Sequence, residues 1–122
     1  MAGGIALQSS SGGTVTFTIP ETSTSSTVSL DFTSLKSTNG YQKLPGGIII
    51  QWGTTASIAS GATVTTNLPI SFPSSFVNIQ ISRLEASTAA SYRGGVVINN
   101  TSQFTFYNSE RTAPFFYIAI GY

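Results

Sequence analysis

The chain has 122 residues, 40% of them apolar and only 7% charged, with a net charge of +1 and neither cysteine nor histidine. An average globular protein carries roughly 25% charged residues. The balance excludes disorder, which needs low hydrophobicity with high net charge, and a disulfide scaffold. It also excludes a nucleic-acid surface, which needs clustered Lys and Arg. The five basic residues, Lys36, Lys43, Arg83, Arg93 and Arg111, are scattered. The same scatter rules out a polybasic membrane anchor, and no apolar run has the length of a spanning helix, so no membrane insertion is expected. Solubility falls instead to Ser and Thr, which supply 36 of the 122 residues. Threonine is β-branched and suits the wet face of a pleated sheet. The opening MAGG has neither a basic segment nor an apolar segment after it, so no signal peptide is expected there.

In chain order, period-two alternation recurs and no stretch has helical spacing. Val15, Phe17 and Ile19 alternate with threonines, and Val28, Leu30 and Phe32 with Ser29 and Asp31. With 20–27 as a loop, residues 14–32 predict a β-hairpin. The polar stretch 33–40 ends in Asn39-Gly40, a turn signal, and places a boundary between an N-terminal segment, 1–38, and a domain, 39–122. Strands are expected at 48–52, behind the turn Pro45-Gly46-Gly47, and at 62–66. Pro69 and Pro73 bracket 70–72, which reads as a short edge strand. Val77, Ile79 and Ile81 alternate with Asn78, Gln80 and Ser82 and predict a strand with those three apolar residues inward. Residues 84–95 read as a loop, 96–98 and 104–107 as strands, and Asn99 to Ser102 as a polar turn rather than a glycosylated sequon. Gly12-Gly13 and Gly94-Gly95, like Gly46-Gly47, read as tight turns. Many short strands with turns between them predict an all-β antiparallel sandwich or small barrel.

The closing strand, 115–122, is apolar on both faces: Phe116, Ile118, Ile120 and Tyr122 on one, Phe115, Tyr117 and Ala119 on the other. An antiparallel sheet with one wet face should show one polar set. Exposing Phe or Ile forgoes about 1.5–3 kcal/mol each and invites aggregation. Either the strand is central in a compact sandwich or it is buried against other copies of the chain. With 84 residues in the domain, we favour contact between copies.

Without His or Cys, Ser-His-Asp and Cys-His catalysis and nearly every zinc site are excluded. The four acids are Glu21, Asp31, Glu85 and Glu110. Glu85 reads as the ion-pair partner of Arg83, and Glu110-Arg111 as a solvated turn, so no paired-carboxylate site and no enzyme is expected. No phosphate-cradling glycine pattern precedes a helix, and no cofactor is expected. Binding remains. Sugars are held by an aromatic ring against the sugar face with neutral polar groups on the hydroxyls, and the chain has these parts. Trp52 reads as core and Tyr117 as interface. Tyr92 and Arg93 in the longest polar loop, with Tyr107 and Arg111 at the 107–113 loop, are the expected ligand-binding residues, because loops carry recognition more often than scaffold strands do.

The stretch NGYQKLPGGIIIQWG, 39–53, resembles the opening of a C-terminal domain of bacteriophage tail fibres, and FYIAIGY, 116–122, resembles that domain's closing strand. TVTTNLPISFPSSFVNIQIS and QFTFYN fit the pattern between them, and 9–30 resembles segments upstream in fibre and adhesin-like virion proteins. The resemblance implies a non-enzymatic β-sandwich knob at the tip of a homotrimeric fibre. Such a tip recognises a host surface receptor, commonly a polysaccharide, on a virion assembled in the host cytoplasm. It implies scaffold roles for the two motifs and offers no catalytic residues. About 40 residues precede the matched stretch, where fibres carry a long shaft, so the chain reads as a cut tip or as a whole short protein. In the latter case 1–38 would dock onto other virion proteins, and a head fibre, decoration protein or tail adaptor without receptor binding is the alternative.

Overall fold

The structure is a computed structural model. It describes residues 6–9, 14–19, 26–84 and 93–122, with side chains from residue 31 onward. No helix occurs among the described residues. Strands β1 (Ala6–Ser9), β2 (Thr14–Ile19) and β3 (Ser26–Asp31) form one antiparallel sheet in the order β1-β2-β3. The expected hairpin is the β2–β3 pair, with Thr14 opposite Asp31 and Ile19 opposite Ser26. Strand β1 was not anticipated. Gly12-Gly13 and the interior of the hairpin loop lie outside the described residues.

Two further sheets enclose the core. The larger has the order β4-β5-β6-β11-β8, from β4 (Ser34–Leu35), β5 (Gly40–Lys43), β6 (Ile49–Thr54), β8 (Phe76–Arg83) and β11 (Phe115–Gly121). The smaller has the order β7-β10-β9, from β7 (Ala62–Asn67), β9 (Gly94–Asn100) and β10 (Gln103–Asn108). All pairings are antiparallel. The result is the β-sandwich that alternation predicts, with β10 facing β11. Phe106 packs on Phe115 at 4.7 Å between ring centroids, and Phe104 meets Tyr117 edge-on at 5.0 Å. Phe72 and Phe76 extend the core at one end, and Ile58 and Ala113 join it through an isolated bridge.

The glycines of the two end motifs explain themselves in this packing. Gly40 lies opposite Trp52, and a Cβ there would come within 2.7 Å of the indole. Gly53 lies opposite Tyr117, and a Cβ there would come within 2.6 Å of the phenol ring. Each ring occupies the space that a side chain on the opposite residue would need, which only glycine leaves free.

Several expectations are corrected. Tyr117 is 2% exposed and belongs to the core rather than an interface. Trp52 is half-buried on the outer side of the large sheet, its Nε1 donating to Ser37 O at 2.9 Å. The inward residues of β6 are Ile49, Gln51 and Gly53. Gln51, fully buried, donates to Ile70 O at 2.9 Å and accepts from Ile70 N at 3.0 Å, so the 70–72 backbone is held by a side chain and is not a strand. Val77 is exposed because a register shift between Ile120 and Gly121 turns Phe76 inward in its place. Gly94 and Gly95 begin β9 and form no turn, whereas Gly46 and Gly47, at φ 87° and 91°, do form the expected one.

Candidate functional site

Strand parity sorts the outward residues of the two sheets into different chemistries. On the small sheet, Phe104 and Phe106 point inward, which leaves Gln103, Thr105 and Tyr107 outward on β10. Their partners are Asn67, Thr65 and Thr63 on β7, and Val97 and Gly95 on β9. The face is knitted by neutral groups: Thr65 and Thr105 hydroxyls at 2.9 Å, Asn99 Nδ2 to Thr105 Oγ1 at 2.8 Å, and Gln103 Nε2 to Asn67 Oδ1 at 2.7 Å. Tyr107 stands at its end, 43% exposed, beside Gly95, whose missing side chain leaves open space. Sequence reasoning chose Tyr107 but missed this platform. The alternation in ATVTTN and QFTFYN contains it, though only pairing reveals that the polar halves share a face.

Three of the four expected ligand residues come together at that end. Arg93 is tied through its carbonyl, which accepts from Ser109 N at 3.3 Å and from Ser109 Oγ. Ser109 is two residues from both Tyr107 and Arg111. The organiser is Asn108, fully buried. Its Nδ2 donates to Ile58 O at 2.8 Å and Arg111 O at 3.0 Å, and its Oδ1 accepts from Glu110 N at 3.1 Å. Arg83 also donates to Arg111 O, at 3.0 Å. The Arg93 and Arg111 side chains are exposed. Tyr92 and Glu85 lie outside the described residues, and with them the expected Arg83–Glu85 pair. Among the described residues, no group of acids has the arrangement of a metal site.

The large sheet presents the opposite chemistry. The outward residues of β11 are Phe116, Ile118 and Ile120, at 45, 52 and 38% exposed. Ile50 and Trp52 flank them on β6, and Asn78, Gln80 and Ser82 on β8. A depression of about 280 Å³ lies among Gln80, Ser82, Phe116 and Ile118. The closing strand lies inside its sheet, between β6 and β8, as one of the two explanations requires. Its inner face is core, and its outer apolar row has no cover among the described residues.

A second cleft, of about 230 Å³, lies where β3 meets the sandwich, lined by Asp31, Lys43, Leu44, Gly46, Gly47, Ile49 and Pro73. Asp31 accepts from the Thr33 hydroxyl at 2.6 Å and the Thr33 amide at 2.9 Å, and pairs with Lys43 Nζ at 3.1 Å. These bonds, those from Thr33 first, pull its carboxyl down to about 2.

Comparison with known proteins decides among the families this architecture would suit. Residues 43–122 match the family of tail fiber proteins described as gp53-like, C-terminal. The chain belongs to this tail-fibre family. Solved structures share its fold. The N-truncated R2-type pyocin tail fiber matches at 20% identity and TM-score 0.67, over 74% of this chain and 37% of that one. A P. aeruginosa R2 pyocin fiber matches at 20% identity and TM-score 0.66, over 74% and 25%. An N-truncated R1-type pyocin tail fiber matches at 21% identity and TM-score 0.57, over 74% and 84%. The chain thus spans about a third of the first of these fibres. No curated protein matches it. Membership of the tail-fibre family places the chain in a virion tail fibre, as the end motifs imply.

Proposed function

We propose that this chain is the tip of a homotrimeric tail fibre and that it binds a host surface glycan during adsorption. The observation that carries the reading is the family match over residues 43–122, which spans β6 to β11. Two features support the parts it leaves open. The uncovered row Phe116, Ile118 and Ile120 calls for further copies of the chain. The small sheet joins an exposed phenol ring to neutral hydroxyl and amide groups, and the exposed Arg93 and Arg111 lie on the adjoining backbone, a combination suited to sugars with occasional acidic substituents. The tip performs no catalysis in this reading and needs no cofactor: it holds its ligand and is held by its neighbours.

The test is adsorption. Purified tip should bind cells that the parent particle infects and should block infection by that particle. Tyr107→Ala and Arg111→Ala should each weaken blocking at least tenfold while leaving the thermal unfolding midpoint unchanged. Wild-type protein that binds no susceptible strain sinks the receptor reading and favours the structural one, a decoration or adaptor protein. Particles lacking the chain would then adsorb normally.

A further inference from the structure

Among the described residues, the small sheet leaves a second apolar surface uncovered, at its edge strand. Val96 and Ile98 of β9 lie opposite Phe106 and Phe104 and so face the same way as the core. Yet Phe104 and Phe106 are 0 and 2% exposed, while Val96 and Ile98 are 40 and 38% exposed. Strand β9 therefore overhangs the sandwich, with the inner side of its edge open among the described residues. Val97, on the other side, is 63% exposed. The segment GGVVINN has neither charge nor proline, the devices that ordinarily guard an edge strand.

Resting on the self-assembly reading above, we propose that the overhang of one copy covers the outer row of the next, with Val96 and Ile98 seated on Phe116, Ile118 and Ile120. The argument for a second copy as occupant is threefold. Both surfaces are branched-aliphatic or aromatic and uncharged, so each suits the other and neither has a charge left to pair. They lie on different sheets of one chain, as a head-to-tail ring requires, since each copy must present both halves of one interface. Closing the ring covers both surfaces at once, whereas packing the β11 rows against each other around the axis would leave β9 open. The depression beside Phe116 and Ile118 gives the incoming strand a seat.

The chain has no cysteine, so thiol cross-linking has no background. Full-length Ile98→Cys/Ile118→Cys, and as a second pair Val96→Cys/Ile118→Cys, would be treated with a short bismaleimide and run on denaturing gels. The arrangement predicts covalent trimers from the double variants and unlinked chains from each single variant. Covalent dimers from Ile118→Cys alone would place the β11 rows against each other and overturn it. A wild-type trimer by light scattering whose double variants both stay unlinked would overturn the pairing but not self-assembly. A wild-type monomer would overturn both.

Discussion

The outward faces of the two sheets are built on the same alternation but meet different surroundings. The small sheet turns Thr63, Thr65, Asn67, Gln103 and Thr105 outward and satisfies many of them across the strands. The large sheet turns Phe116, Ile118, Ile120 and Ile50 outward and leaves them half-exposed. With so few charges in the chain, this difference in polarity is the clearest distinction between the two faces. A face knitted by its own hydroxyls and amides is stable when wet. A face of phenylalanine and isoleucine gains only when covered.

The sharpest test of that division compares neighbours on β11. Phe115→Ala, on the inner side, should cost about 3–5 kcal/mol in denaturant unfolding through lost burial and the cavity left behind. Ile118→Asp, on the outer side, should leave the far-ultraviolet circular dichroism of the sandwich intact but convert the proposed trimer to monomers by light scattering. It removes about 1.5–3 kcal/mol of burial per copy. If Ile118→Asp unfolds the chain instead, the outer row is part of the fold and the comparison fails. Asn108→Ala should cost about 1–3 kcal/mol, because it strips partners from the carbonyls of Ile58 and Arg111 and from the Glu110 amide, and should loosen the Tyr107 end of the polar face. Hydrogen exchange at Glu110 would report it. Thr105→Val, in the middle of the polar face, should cost only about 0.2–1 kcal/mol in the same unfolding assay.

The smallest effect is at the junction of β3 with the sandwich. The folded carboxyl of Asp31 sits at about 2, below its ordinary value of 3.8. Its contribution to stability is therefore present above about pH 4 and lost as the pH falls towards 2. Asp31 is half-exposed, so the effect is discounted by solvent screening. Asp31→Asn should flatten the stability curve across that window, and wild type and variant should converge below it. Divergence that widens on acidification would show the sign to be wrong.

The strands themselves were legible because alternation is local. Their depths were not, because depth depends on what lies opposite. Gln51 is buried while Trp52 is not, a reversal of hydropathy, since Gln51 satisfies the backbone of Ile70, a segment distant in sequence. Tyr117 reached the core only because Gly53 clears space across the ladder. A register shift placed Phe76 where Val77 was expected. At the candidate site, loop position identified Arg93, Tyr107 and Arg111 as candidates. Asn108, which brings the 109–113 loop together, has no signature beyond being one polar residue among several.

Asn108 grips the loop by its backbone, through the carbonyl of Arg111 and the amide of Glu110. The side chains of Glu110, Arg111 and Thr112 enter no hydrogen bond or ion pair with the rest of the described chain, so no polar contact of theirs holds the sandwich together. They form a small exchangeable cassette on a fixed mount. In the proposed receptor-binding role, substitutions would accumulate there without disturbing the sandwich, and a library randomised at 110–112 should yield mostly folded proteins.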